Sequence, residues 1–210
     1  MKAPSTTATL TARRAATRRA IVEAAEALFA DFGYAEVSPA DVSAMVGIGR
    51  TTFYEYFDDM EHLLAELVEL RLPEVTEQIL STIPRHLSLR DQLAELALRT
   101  VEYAVDDHVF GLALHQGLPA LSTATTERIA AAHRALSAEF GRVYAEGVAA
   151  GEFRAMPGDL AAALLADAIM ATAKTLLATP EPKARFHEVG EEFLRFLFHG
   201  LDPSAFPGGG

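Results

Sequence analysis

The sequence predicts an all-α protein: an N-terminal three-helix domain containing a helix-turn-helix, then a larger C-terminal helical domain, about nine helices. Three observations carry this expectation. Glycine and proline punctuate stretches of helical periodicity, and no stretch alternates apolar and polar residues as a half-buried strand would. Two short helical stretches are joined around Gly47, the spacing of a helix-turn-helix. Two late stretches are apolar almost all round, as helices are at the centre of a domain or at a subunit interface.

Each element has a local reason. A first helix is expected from about Thr17 to Phe32, with Ile21, Ala25, Leu28, Phe29 and Phe32 on one face and Gly33 as its stop. Ser38 offers an N-cap oxygen, Pro39 suits the first helical position and Asp41 stands at the third, so a short helix opens there and ends before Gly47. A second short helix follows from Arg50 to about Phe57, burying Phe53 and Phe57 with Ile48 behind them. The next runs from Glu61 to about Leu70, where Pro73 is expected to kink or end it. Ser88 and Asp91 resemble a capping box and open a helix to about Asp106, followed by a shorter one over about 108–116. The longest is expected from Thr126 to Ala150, stopped by Gly151. Helices over about Asp159–Ala178 and Phe186–Leu201 close the fold. The expected division is 1–58, 59–203 and a flexible tail, 204–210.

Composition narrows the function classes. Half of the 210 residues are apolar and there is no cysteine, which excludes a disulfide scaffold, a thiolate nucleophile and a Cys-ligated metal. The most apolar stretch, Leu160–Ala173, is interrupted by Asp167, and the first twelve residues lack an apolar signal core. The expectation is therefore a cytoplasmic protein with no membrane partner. The histidines include no metal-binding spacing, and no nucleophile–base set or phosphate loop appears. No enzyme activity, cofactor or metal is expected. A net charge of -11 argues at first against a nucleic-acid partner, since phosphate binding wants a basic footprint. The charge is unevenly placed, however. Residues 1–56 hold six basic and six acidic side chains, so the whole excess lies in 57–210, and Arg13, Arg14, Arg18 and Arg19 cluster near the N-terminus.

The second short helix carries the chemistry. Opposite its buried Phe53 lie Thr51 and Glu55, flanked by Arg50, Thr52 and Tyr54. A guanidinium can bond guanine O6 and N7 together, threonine can touch a thymine methyl, and hydroxyls can hold phosphates.

At this block the sequence resembles the TetR family of transcriptional regulators. The residues that carry the likeness are Gly33-Tyr34, Ser38, Asp41, Gly47, Thr52-Phe53-Tyr54 and Tyr56-Phe57, continuing into Glu61 and Leu63-Leu64. It spans about Arg18 to Leu67, with a weaker echo in Gly151-Glu152-Phe153-Arg154, Asp159 and Ala162-Ala163. The resemblance implies that Arg50, Thr51 and Tyr54 reach bases, that Ser38, Thr52 and Tyr56 hold phosphates, and that the arm with Arg18 and Arg19 lies near the DNA backbone. Glu55 either accepts from cytosine or pairs with Arg50 or the arm. Three positions depart from the family pattern: Gly49 replaces a usual serine cap, Pro39 a basic residue of some members, and Met60 a common phosphate-binding lysine. The resemblance further implies a homodimer on a palindromic double-stranded operator, released by an apolar small-molecule effector and acting as a repressor. Candidate effector contacts are Tyr103, Phe110, Leu114, His115, Phe140, Tyr144, Asp167 and Met170. Candidate dimer contacts are Leu160, Leu164, Lys174, Phe193, Phe196 and Leu197. Core packing explains Tyr103, Phe110, Leu114, His115, Phe140, Tyr144 and Met170 equally well, and inter-helix or inter-subunit ion pairs are the alternative for Asp167 and Lys174. The alternative is a helical small-molecule-binding or interaction protein that keeps a helix-turn-helix without reading DNA sequence.

Overall fold

The computed structural model describes residues 6–106 and 121–204, and among these it is all helical. The helices are α1 (Thr6–Phe32), α2 (Pro39–Val46), α3 (Arg50–Tyr54), α4 (Met60–Ser81), α5 (Leu89–Asp106), α6 (Thr123–Ala132), α7 (Arg134–Ala149), α8 (Gly158–Leu177) and α9 (Pro182–Leu201), with one 3-10 turn at Tyr34–Glu36. The expected short helix over 108–116 and most of the 204–210 tail lie outside the described residues.

Local chemistry fixes most boundaries. The Ser38 hydroxyl accepts from the Asp41 amide while the Asp41 carboxylate accepts from the Ser38 amide at 2.9 Å, the reciprocal capping box that opens α2. Gly47 ends it at φ 75°, a left-handed conformation that favours glycine. Asp59 caps α4 by accepting from the His62 amide at 2.7 Å. Ser88 accepts from the Asp91 amide at 3.0 Å and starts α5 as expected.

Five boundaries differ from the expectation. Helix α1 begins well before Thr17, because residues 6–20 hold good helix formers and neither glycine nor proline; the Thr17 hydroxyl donates back to the Arg13 carbonyl inside the helix. Helix α3 is only Arg50–Tyr54, although the Tyr56 and Phe57 amides still bond the Phe53 carbonyl. Helix α4 runs through Pro73 to Ser81, its inner face held on both sides of the proline by Leu72, Val75 and Ile79. The expected long helix over 126–150 is two helices, α6 and α7, separated at His133. Helix α9 starts at Pro182, a first-turn proline four residues ahead of Phe186.

Two hydrophobic cores organise the chain. The first joins Ile21, Phe29, Val42, Phe53, Phe57, Leu63, Leu67 and Leu72 with Ile129 from α6. The second joins Val75 and Ile79 of α4 to α5, α7, α8 and α9. The cores therefore divide α4 at Pro73, and they divide the 123–149 stretch near His133. In α4 the helix passes unbroken from one core to the other, whereas in the 123–149 stretch the change of core coincides with the break at His133. Helix α8 is long and apolar enough to cross a membrane by length and composition. Ala161, Leu165, Ile169 and Leu176 turn one of its faces into the second core instead.

Candidate nucleic-acid interface and effector cavity

Helix α3 is too short to be stable by itself and is held from behind. Phe53 and Phe57 are fully buried, their rings 5.9 Å apart, which turns Arg50, Thr51, Tyr54 and Glu55 to solvent. Thr52 and Tyr56 are half-buried at the edge. The Arg50 guanidinium lies 6.0 Å from the Tyr54 ring centre, so the longest cation on the face rests on its neighbour. Among the described residues the Glu55 carboxylate joins no ion pair.

The last carbonyls of this segment would be left without partners, and two arginines of α1 supply them. Arg14 donates to the Glu55 carbonyl at 3.2 Å and sits over the Tyr56 ring at 5.3 Å. Arg18 donates to the Tyr56 carbonyl at 2.9 Å, lies over the Phe57 ring at 4.5 Å and forms a two-point bridge to Glu66 of α4, with its Nε at 2.7 Å. Its charged state is favoured first by the hydrogen bond it donates to Glu66. Cations at a helix C-terminus also interact favourably with the negative end of the helix dipole. These braces were missed from sequence, because nothing in the spacing of Arg14 and Arg18 says that they reach the end of α3. Arg19 is exposed. The Ser38 hydroxyl is spoken for by Asp41, whose carboxyl is held below the usual carboxylate range chiefly by that contact.

Helix α4 begins just after the α3 segment and is clipped to α6. The Glu61 carboxylate accepts from the Ser122 amide at 3.0 Å, and Arg128 makes two bonds to Glu69 at 2.7 and 2.8 Å. Both carboxyls are held below their ordinary range, Glu61 first by the Ser122 side chain and Glu69 first by Arg128.

In the second core an apolar cavity of about 130 Å³ lies between α5, α7 and α8. Phe140 and Met170 line it, as expected from sequence, with Leu136, Leu165 and Ile169; the polar lining is Thr100, His133 and Ser137. The other described candidates are placed elsewhere. Tyr144 is buried, its hydroxyl donating to the Arg154 carbonyl at 2.9 Å and accepting from the Met156 amide at 3.0 Å, which clasps the α7–α8 connection. Asp167 is exposed on the outer face of α8, and Tyr103 is half-buried between the two cores. Phe110, Leu114 and His115 lie outside the described residues.

Of the candidate dimer contacts, Leu160 (48% exposed), Leu164 (52%) and Phe196 (74%) form an apolar surface on α8 and α9, and Lys174 is exposed nearly three turns further along α8. Phe193 and Leu197 are buried in the second core. An apolar groove of about 150 Å³ runs between the two helices, bordered by Leu164, Ala168 and Phe196. Among the described residues no group of histidine, aspartate and glutamate is placed to hold a metal ion.

Comparison with known proteins agrees with this arrangement. Residues 21–67 match the family of bacterial regulatory proteins of the tetR type, and residues 86–174 match the tetracycline-repressor-like C-terminal domain. Together the two matches cover about two thirds of the chain. Among solved structures, FadR from Bacillus subtilis in complex with stearoyl-CoA is 19% identical, with a TM-score of 0.72 over 87% of this chain and 98% of that one. RolR in complex with resorcinol is 22% identical, with a TM-score of 0.67 over 93% and 92%. A TetR/AcrR-family regulator from Thermobifida fusca is 26% identical, with a TM-score of 0.60 over 87% and 97%. No curated protein sequence matches the chain.

Proposed function

This chain belongs to the TetR family of bacterial regulatory proteins, the ligand-responsive DNA-binding transcriptional regulators, and from that premise we propose that it is a cytoplasmic, homodimeric repressor without catalytic activity. The observation that carries the reading is the exposed face of α3: Arg50, Thr51, Tyr54 and Glu55 stand outward on a helix locked from behind by Phe53 and Phe57. Arg50 reads guanine, Thr51 and Tyr54 contact neighbouring bases, and Thr52 and Tyr56 hold the backbone, with Arg19 near the phosphates. Ser38 positions α2, and Arg18 acts through α3 rather than by touching DNA.

The exposed apolar surface of Leu160, Leu164 and Phe196 supports an isologous dimer built on α8 and α9. A two-fold axis there places two reading helices on successive major grooves of a palindromic operator, about 34–36 Å apart. The division follows the two cores: α1–α3 with the first half of α4 read DNA, and the remainder binds effector and partner. The effector is a small apolar molecule, for which the cavity beside His133 is the candidate site; FadR holds stearoyl-CoA and RolR holds resorcinol. Its signal has a short path. His133 touches the cavity and ends α6, while Ile129 of α6 packs in the DNA-binding core and Arg128 grips α4. Coupling of about 1–3 kcal/mol through such a joint lowers DNA affinity several-fold to about a hundredfold.

The test is selection of bound duplexes from a random pool by the full-length protein. Enrichment of an inverted repeat whose half-sites are centred one helical turn apart is expected. Recovery of an unenriched pool would sink the proposal in favour of a helix-turn-helix protein that does not read sequence.

A further inference from the structure

The chemistry of the cavity beside His133 narrows the effector, and this step rests on the reading of the chain as a ligand-responsive regulator. We infer that the cavity selects a compact, uncharged, single-ring molecule that carries a hydroxyl or amine hydrogen to donate.

Size comes first. A cavity of about 130 Å³ is close in size to an apolar protein cavity of roughly 150 Å³ that takes up benzene. That volume matches one six-membered ring and is well below that of a long acyl chain. Charge comes next. Among the described lining residues there is no Asp, Glu, Lys or Arg, so a carboxylate or a phosphate buried there would be left without a counter-charge.

Hydrogen-bond polarity then selects among neutral rings. The Thr100 hydroxyl donates its only hydrogen to the Leu96 carbonyl at 2.7 Å, which leaves its oxygen able to accept. His133 Nδ1 lies 2.9 Å from the Ile129 carbonyl. A carbonyl can only accept, so Nδ1 carries the hydrogen, and on the neutral ring Nε2 keeps a lone pair. Two of the three polar side chains in the described lining are thus, with His133 neutral, acceptors with no hydrogen to give. The third, Ser137, stands on the exposed side of α7, at the mouth beside the exposed Ala162 and Ala166 of α8. A phenol, aniline or compact alcohol satisfies this lining. An ether or ester of the same size leaves an acceptor facing acceptors.

The experiment is calorimetric titration of the full-length protein with phenol, anisole, benzoate and stearoyl-CoA, repeated on Thr100→Val and His133→Phe. Phenol is expected to bind about three- to tenfold more tightly than anisole, the worth of one hydrogen bond. Each substitution should narrow that gap while leaving anisole binding in place. Thr100→Val is nearly isosteric, so it remains informative if His133→Phe disturbs the α6–α7 joint. Anisole binding as tightly as phenol would overturn the inference. So would no binding of phenol at millimolar concentration, an unchanged phenol-to-anisole gap in Thr100→Val, or tighter binding of benzoate or stearoyl-CoA. If stearoyl-CoA instead binds and releases a selected duplex, only the effector class falls and the regulator stands. If the ligand-free protein selects no duplex, it is the regulator reading that fails.

Discussion

Arg18 joins three parts of the DNA-binding unit. It reaches from α1 to the Tyr56 carbonyl at the end of the α3 segment, stacks on Phe57 and bridges to Glu66 of α4. The arginine is over a third exposed and Glu66 is more buried, so solvent screens part of the pair. Arg18→Met should lower unfolding free energy by about 1–2 kcal/mol, read from urea denaturation, because it leaves Glu66 and the Tyr56 carbonyl short of a charged donor. Arg18→Met combined with Glu66→Leu should recover part of that loss. A stability unchanged by Arg18→Met, with DNA affinity alone reduced, would return Arg18 to the phosphate contact that its place in the basic arm suggests. Arg14 and Arg18 sit among four arginines that look alike in the sequence. Only the tertiary position of α1 distinguishes the braces from Arg13 and Arg19.

At the scale of elements, two packing features carry predictions. The chain after α7 folds back so closely over Gly147 that an added Cβ would stand 2.1 Å from the Phe153 ring. Phe153 is buried, stacked between Tyr144 and Phe198, and has nowhere to retreat. Gly147→Ala should therefore cost about 1–3 kcal/mol or more and lower the thermal midpoint, where an exposed helical Gly→Ala would raise it. The second feature is the pair of clips between α4 and α6, Glu61 to Ser122 and Glu69 to Arg128. Both carboxyls have folded-state pKa values below the unfolded ones. Their contribution is fully present above the ordinary glutamate range and is lost as pH falls through the folded values, so stability should decline below about pH 4. Glu61→Gln with Glu69→Gln should make that decline shallower in denaturation curves taken from pH 7 to pH 3. An equally steep decline would show that the clips do not titrate with folding. The same elements show why some boundaries were legible in sequence and others not. Ser38 with Asp41, Gly47 and Gly151 act on residues within a turn of themselves, so their spacing alone announces α2 and the end of α7. The passage of α4 through Pro73 and the break at His133 depend on which core each half meets, and that is fixed by residues far away in the chain.

For the whole molecule, the exposed face of α3 was the most legible part of the proposed site, because it is one continuous block from Arg50 to Phe57. The cavity was the least legible. It draws on α5, α7 and α8, and helical periodicity marks Phe140, Tyr144 and Met170 alike as inward-facing without saying which of them borders empty space. Tyr144 is inward but spends its hydroxyl on the Arg154 carbonyl and the Met156 amide. The two nearly all-apolar helices were legible as having a second buried face, and the structure leaves Phe196 74% exposed on that face. Phe196→Glu should leave the fold of each subunit intact, convert the protein to a monomer in sedimentation at micromolar concentration, and remove high-affinity DNA binding with it. A dimer that persists would place the interface elsewhere. The net charge of -11 belongs to the same reading: the acidic excess lies outside residues 1–56, so non-specific attraction to DNA should be weak and affinity should lean on a fitted site. The central claim is that this chain reads DNA sequence through the exposed face of α3. Its most direct test is competition anisotropy of wild type and Arg50→Ala on a selected duplex and on a scrambled duplex of the same composition, at one salt concentration. Wild type should prefer the selected duplex by about a thousandfold or more, and Arg50→Ala should lose about 1–3 kcal/mol on that duplex alone. Equal affinity of wild type for both duplexes, or an equal loss on both in Arg50→Ala, would contradict it.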